Sequence, residues 1–169
     1  MPTTSINYAA NTAITMTLSG LASSAANTVG GWGAAQIDNT ASLFVDALVQ
    51  GTFTVGTPSV TTGGLSVFVL SSNSSIVGTP IPPFDGTNTA ANPTTTQQGV
   101  LKFAAFVPVM VVTTDAKYSI PPFSVAALFG GVMPKFWTLY ISQNTGVALK
   151  TDAANNNSFS FNGIKFDSV

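Results

Sequence analysis

The side chains that could do chemistry in this chain are of few kinds. Its 169 residues include six acidic residues, all aspartates, and five basic residues, all lysines, and there is no Arg, Glu, His or Cys. Without imidazole or thiolate, neither a Ser-His-Asp nor a Cys-His arrangement can form, and zinc lacks its usual ligands. Without a guanidinium there is no bidentate clamp for phosphate. The sequence therefore predicts a protein that is not an enzyme and that needs no cofactor and no metal.

The remaining polar candidates have weak contexts. "DGTN" at Asp85–Asn88 and "TDAANNN" at Thr151–Asn157 offer oxygen ligands, but neither has the spacing of a calcium loop, so Asx turns are expected there. Paired aspartates for glycoside hydrolysis and a Ser-Lys nucleophile remain open on composition alone. Trp32 and the tyrosines could stack on sugars, whereas Trp137 lies in an alternating stretch and is expected in the core.

The charge content points away from nucleic acid and towards assembly. Only 7% of the residues are charged, the net charge is −1, and the lysines occur singly along the chain, so no basic surface for phosphates is expected. A folded chain with 45% hydrophobic residues and so little charge has weak protection against association. We therefore expect a subunit of an assembly, self-associating as a homotrimer.

No segment predicts a membrane span or a secretory signal. "FAAFVPVMVV" is too short to cross a bilayer, and "IPPFSVAALFGGVMP" is interrupted by Pro-Pro and Gly-Gly. The first twelve residues contain neither a basic residue nor an apolar run. We expect one domain over residues 1–169, with residues 1–12 as an extended arm.

Alternating patterns predict strands throughout. Ile14, Met16 and Leu18 share one face of "AITMTLS", and Trp137, Leu139 and Ile141 share one face of "WTLYIS". In "LFVDALVQGTFTV" the apolar positions are the odd ones, Leu43, Val45, Ala47, Val49, Phe53 and Val55, although residues 41–50 also fit a short helix. With few helix formers, the chain predicts an all-β protein: a jelly-roll-like β-sandwich of about eight strands with a long inserted loop.

Two apolar stretches and the C-terminus refine this prediction. "GLSVFVLS" and "GVLKFAAFVPVMVVTT" are apolar on both faces and predict central strands. In "SFSFNGIKF", Phe159 and Phe161 have one parity while Ile164 and Phe166 have the other. Either a hairpin at Asn162-Gly163 or a bulge there would bring all four onto one face.

The tetrapeptide "IPPF" occurs twice with different expected roles. The first copy, Ile81, Pro82, Pro83 and Phe84, lies in the polar segment 71–99, which we expect to project as a loop and to contact a neighbouring subunit. The alternative is that Phe84 folds back onto its own sandwich. The second copy is expected to begin a buried strand with Phe123, Val125 and Ala127 towards the core.

The stretch from Gly64 to Leu149 resembles a group of small tailed-phage virion proteins, notably head decoration (cement) proteins. The residues that carry the resemblance are "LSVFVLSSN", a Gly/Asn/Thr-rich insert, a strand, and then "YSIPPFSVAALFGGVMPKFWTLYISQNTGVAL". This covers about half of the chain. The resemblance implies adjacent strands of a β-sandwich and a structural role in the virion, outside the compartment that holds the genome.

Two hypotheses follow. In the first, the chain is a bacteriophage capsid decoration protein that clamps neighbouring major capsid subunits, made in the host cytoplasm and located on the capsid exterior. In the second, it is a tail or fibre module that binds a host surface glycan through an exposed aromatic platform. A secreted carbohydrate-active enzyme is a third. The apolar loop at Ile81–Phe84 favours the first.

Overall fold

The structure, a computed structural model, describes residues 4–24, 30–56, 63–151 and 157–168, and these residues form two antiparallel β-sheets. The predicted all-β sandwich is confirmed, while the jelly-roll connectivity stays a prediction. In chain order the strands are Thr4–Tyr8 (β1), Thr12–Ile14 (β2), Gly31–Gly33 (β3), Ile37–Asp38 (β4), Asp46–Thr54 (β5), Gly64–Ser72 (β6), Thr89–Ala91 (β7), Lys102–Pro108 (β8), Lys117–Ser124 (β9), Phe136–Gln143 (β10) and Ser158–Ser168 (β11). The helices in the described part are single turns, the α-helix Val125–Leu128 (α1) and a 3-10 turn at Gln97–Val100.

Each sheet has its own strand order. The first sheet runs β1-β11-β5-β9, and β2 also pairs with β11 beyond the end of β1. The second sheet runs β7-β3-β10-β6-β8, and β4 also pairs with β10. Every pairing is antiparallel, so successive side chains of a strand alternate between the core and the outer face of its sheet.

The core between the sheets follows the predicted alternation. Trp137, Leu139 and Ile141 of β10 are fully buried there, as expected. They face inward residues of the other sheet, among them Val49, and Phe161 of β11 meets Trp137 edge to face with ring centroids 5.4 Å apart. Burial of this apolar area is the main stabilising term of the fold.

A third layer covers the outer face of the second sheet. Tyr140 and Phe68 point away from the central core, yet both are buried, because the segment 73–101 folds back across them. This burial raises the pKa of Tyr140 to about 12, partly offset by a backbone hydrogen bond at Gly31. The small second core formed here consists of Phe68, Leu70, Ile76, Phe84, Ala91 and Tyr140.

Residues 41–45 do not continue β5, nor do they form the alternative short helix. Asn39 holds this segment as a turn, because its side chain accepts a hydrogen bond from Phe44 N (2.9 Å) and donates one to Phe44 O (3.0 Å). Leu43 has a positive φ of 51° and is exposed. The inward positions of the predicted strand are therefore confirmed from Ala47 onward and wrong for Leu43 and Val45.

The prediction for "GVLKFAAFVPVMVVTT" as a central strand is wrong. Only residues 102–108 form a strand there, and among the described strands β8 is an edge of its sheet, paired with β6 alone. The physical reason is visible in the residues, since Lys102 and Pro108 are suited to an edge and Pro108 has no N–H for a second ladder. β6, in contrast, is central and buried along most of its length, as predicted.

The C-terminal "SFSFNGIKF" is one continuous strand. Its ladder with β5 runs without a register shift from Ser158 to Ile164, so both the hairpin and a bulge of β11 at Asn162-Gly163 are wrong. Phe159 and Phe161 consequently face the core, while Ile164 and Phe166 face outward. Gly163 leaves room on the inner face for the ring of Phe44, whose carbon atoms would lie 2.5 Å from an added Cβ.

Candidate interaction surfaces

The first "IPPF" does not project from the molecule. Ile81 and Phe84 exchange backbone hydrogen bonds of 2.9 and 2.7 Å across a tight turn that contains a cis Pro82–Pro83 bond. Phe84 is only 3% exposed and meets Tyr140 edge to face at 5.3 Å. The projecting loop is therefore wrong, and the alternative, in which Phe84 packs on its own sandwich, is what the structure has. An interface role for the tetrapeptide stays a prediction, and of its residues Pro82 is the one that is exposed.

The second "IPPF" ends a strand rather than beginning one. Ile120 is buried and Phe123 is partly buried against the core, as expected, within β9. The chain then turns into α1, where Ser124 Oγ accepts a hydrogen bond from Ala127 N at 3.0 Å. Val125 is buried but Ala127 is exposed, so the predicted alternation of Val125 and Ala127 along a strand is wrong. Ser124 is a good N-cap, and this local capping decides against the strand.

The aspartates that the structure describes serve local structure. Asp85 Oδ1 accepts hydrogen bonds from Thr87 Oγ1 (2.7 Å) and Thr87 N (2.9 Å), which confirms the expected Asx turn. These two bonds lower the pKa of Asp85, and the bond from the Thr87 side chain has the larger effect. Thr40 lowers the pKa of Asp38 in the same way. Asp46 accepts from the backbone of Ala126 at 2.9 Å. Asp115 and Asp167 form ion pairs with Lys150 and Lys165.

Within the described ranges, no three side chains of the types Asp, Glu, His or Cys come together as a cluster that could hold an ion. Most of the segment Thr151–Asn157, including Asp152, lies outside the described residues. In the same ranges, no helix is long and apolar enough to cross a membrane.

One apolar surface lies on the terminal strands. Ile6 pairs with Phe166, and Tyr8 pairs with Ile164, across the β1–β11 ladder. Register partners share a face, so these four side chains form one strip on the outer face of the first sheet, which we call the terminal strip. Ile6, Tyr8 and Phe166 are 61%, 60% and 58% exposed. The opposite face of the same ribbon is polar, with Asn7 bonded to Asp167.

A second apolar surface lies on the outer face of the other sheet. In β8, a register shift allows Phe103 to pair with Phe68 and Phe106 to pair with Ser66, so both Phe residues face outward. Phe103 is 56% exposed although its ring contacts Phe68 edge to face at 5.7 Å. The following residues, Met110, Val111 and Val112, are exposed as well. We call Phe103 and Phe106 together the β8 surface.

An aromatic groove lies beside β3. Trp32 is half-buried, and its Nε1 donates a 2.6 Å hydrogen bond to Asn88 Oδ1. The groove has a volume of about 370 Å³ and is lined by Trp32, Leu21, the amide-bearing Asn92 and small residues. An indole beside amides suits a sugar ring, which binds by stacking and by hydrogen bonds to its hydroxyl groups.

The sequence predicts a strand that contains Phe103 and Phe106, but it predicts that strand to be central and buried. The sequence does not predict the terminal strip. The signal for β1 is the alternation of Ile6 and Tyr8 between polar residues in "TSINY". The five residues of β1 are too short a pattern to stand out. The parity of Ile164 and Phe166 is visible in the sequence, but the predicted parity switch would turn them inward. A regular strand leaves them outside.

No protein-family model matches this chain, and a search of curated proteins finds no match either.

Proposed function

We propose that this protein is a structural subunit of a larger assembly, and that it binds its neighbours through the terminal strip and the β8 surface. The assembly that the sequence resemblance suggests is the capsid of a tailed bacteriophage, in which the protein would be a decoration protein that contacts neighbouring major capsid subunits from the outside. The observation that carries the proposal is the presence of two exposed apolar surfaces on a protein in which only 7% of the residues are charged.

The positions of the two surfaces fit a clamp. The terminal strip is on the outer face of the first sheet, and the β8 surface is on the outer face of the second sheet. A single domain with apolar side chains on both outer faces can touch two neighbours at once. Exposed apolar groups that cluster in this way are typical of surfaces that bind other proteins.

The low charge supports the same proposal. The described ion pairs, Lys150–Asp115 and Lys165–Asp167, are both partly exposed and add little to stability. A surface of Ser, Thr, Asn and Ala costs little to desolvate compared with a charged one, so large areas of it can be buried in a packed shell.

The experiment is co-sedimentation with capsids assembled from the major capsid protein encoded nearest to this chain's gene. We expect the wild-type protein to sediment with the capsids saturably. Phe103→Ser and Phe166→Ser, each changing one surface, should weaken this binding at least tenfold. Thr40→Ala changes an exposed side chain away from both surfaces and serves as the control. Failure of the wild-type protein to bind any such capsid, with a folded sample, would contradict the proposal.

A second candidate function is supported by the groove at Trp32. In this alternative, the chain is a tail or fibre module that binds a host surface glycan, with the Trp32 indole as the stacking platform and Asn92 as a hydrogen-bonding neighbour. A glycan array distinguishes the two. Saturable binding of one glycan class that Trp32→Ala abolishes, together with no capsid binding, would favour the module over the capsid subunit.

A further inference from the structure

The edges of the two sheets differ in how they are protected against pairing with other strands. β8 carries Lys102, a register shift and Pro108, and β9 carries Lys117 and the Pro121-Pro122 pair. The other edge strands apart from β1 are short, with three residues in β2 and β7 and two in β4. Lysine, proline, bulges and short length are the devices by which natural edge strands avoid pairing with other chains.

β1 has none of these devices. Its sequence, "TSINY", contains no proline and no charged residue, and its ladder with β11 is regular over all five residues. The whole strand is exposed. An unprotected edge of this kind can pair with a strand of another chain. β1 also contributes Ile6 and Tyr8 to the terminal strip.

The ladder also shows which backbone groups of β1 are not used by β11. Ala9 N donates to Gly163 O at 2.8 Å, continuing the register in which Tyr8 pairs with Ile164. Hydrogen-bonded pairs alternate with non-bonded pairs along an antiparallel ladder, so Ser5 and Asn7 point their N–H and C=O groups at β11. Thr4, Ile6 and Tyr8 therefore point theirs outward. Beyond that ladder, no hydrogen bond described in the structure uses these three backbones.

We propose that β1 pairs antiparallel with β1 of a second copy of this chain, so that the first sheets of the two copies join into one. The pairing is centred on a two-fold axis at Ile6, which exchanges hydrogen bonds with the partner's Ile6. Thr4 then pairs with the partner's Tyr8, and the outward groups of each strand all find partners.

A second copy is the occupant that these residues favour. The strand is its own complement, because Thr4, Ile6 and Tyr8 are the bonding positions on both sides of the axis and no charge opposes its copy. A ring of three through β1 would need a second, different unprotected edge, and the other long edges, β8 and β9, carry Lys and Pro. Two-fold pairing needs only β1. Because five residues bury a modest area, we expect micromolar affinity. This inference does not rest on the capsid proposal.

The test measures the mass of the particles in solution and locates the contact between the two copies. Sedimentation velocity over a micromolar concentration series should show a monomer–dimer equilibrium for the wild-type protein. Ile6→Lys puts like charges on the axis and should raise the dimer Kd at least tenfold, as should Ile6→Pro, which removes an N–H that β11 does not use. Val132→Ser changes a comparably exposed apolar residue that lies outside β1, the terminal strip and the β8 surface, and it should leave the Kd unchanged.

Because the chain has no cysteine, variants with a single introduced cysteine can show which residues of the two copies lie close together. Ile6→Cys should form a disulfide-linked dimer with diamide, since opposite Cα atoms in a bonded pair lie about 5.5 Å apart. Phe166→Cys, one strand further from the axis in each copy, should not. An equimolar mixture of Ile6→Lys and Ile6→Asp should recover the dimer that each variant loses alone.

Three results would overturn the inference: a wild-type monomer throughout the series, a trimer that Ile6→Lys leaves intact, or a dimer in which Ile6→Cys does not cross-link. If the wild-type protein is always monomeric and Ile6→Pro loses capsid binding, then β1 pairs with a capsid subunit and not with a second copy. That outcome would contradict the pairing of β1 with a second copy and would remain consistent with the proposed function.

Discussion

At the scale of single residues, two phenylalanines have environments that their own sequence contexts do not predict. Phe84 lies in a polar segment and is buried on Tyr140, whereas Phe166 lies in an alternating strand and is exposed. Neither environment can be read from the residue's own neighbours in the chain. It depends on which other segment covers the position.

Phe84→Ala should lower the free energy of unfolding by about 3–5 kcal/mol, because it removes a buried ring and leaves a cavity in the second core. Phe166→Ala, the matched control, should change it by no more than about 0.5 kcal/mol in the monomer. Urea unfolding at low protein concentration measures both. A Phe84→Ala protein as stable as the wild type would show that segment 73–101 does not pack on its sheet.

The Asx turn at Asp85 makes a pH prediction. The pKa of Asp85 is lower in the folded state than its ordinary value of 3.8, because the bonds from Thr87 stabilise the carboxylate. The stabilisation is therefore present above that ordinary value and is lost as the pH falls through the folded-state pKa. Unfolding free energies measured from about pH 6 to about pH 2 should fall less steeply for Asp85→Asn than for the wild type. Parallel curves for the two proteins would contradict this.

At the scale of elements, close approaches between strands are made possible by glycines under aromatic rings. Gly51 lies against Phe159, and Gly31 lies against Tyr140. A Cβ on Gly31 would meet the Ile141 carbonyl oxygen at 2.2 Å and the Tyr140 ring at 2.6 Å. A ring over a cross-strand glycine fills the space that the missing side chain leaves and fixes the register of the two strands.

Gly31→Ala should destabilise the protein by about 1–3 kcal/mol, since backbone and ring must both shift. Gly33→Ala is the matched control in the same strand, because its Cβ would have no neighbour closer than 3.7 Å. It should be neutral or slightly stabilising, by at most about 1 kcal/mol, through a less flexible unfolded chain. Thermal unfolding of both variants checks the contrast, and equal losses would refute the steric explanation.

At the scale of the whole molecule, stability comes from apolar burial rather than from charge. The described ion pairs lie at the surface, and the chain has eleven charged side chains in total. The two cores and the sheet ladders must therefore carry the fold. For the same reason, the proposed pairing of two copies would not depend on electrostatic attraction.

Raising NaCl from about 0.05 M to about 0.5 M should change the Tm by less than about 2 °C, because screened surface pairs contribute little. The dimer Kd should not rise over the same range, since apolar contacts and backbone hydrogen bonds are not weakened by screening. Differential scanning calorimetry and sedimentation velocity measure the two quantities. A Tm that falls steeply with salt would mean that charge contributes more than the surface pairs indicate.

The fold class, the inward face of β10 and the inward face of β5 from Ala47 onward can be predicted from the sequence alone. Period-two alternation is a local property, so the burial of Trp137, Leu139 and Ile141 and the Asx turn at Asp85 could be predicted from their own segments. The absence of His, Cys, Arg and Glu likewise limits the available chemistry whatever the fold, because it is a property of composition alone.

Which strands are edges and which outer faces are covered became clear only from the packing of distant segments. The sequence of β8 is as apolar as that of β6, but in the part of the chain that the structure describes β8 has a neighbouring strand on one side alone. Phe84 is buried because residues 73–101 return over the second sheet, and Ile6 and Phe166 are exposed because no described segment returns over the first. These outcomes depend on contacts between segments distant in the chain, which the alternation of apolar and polar residues does not report. Lys102 and Pro108 are compatible with an edge, but only the pairing shows that β8 is one.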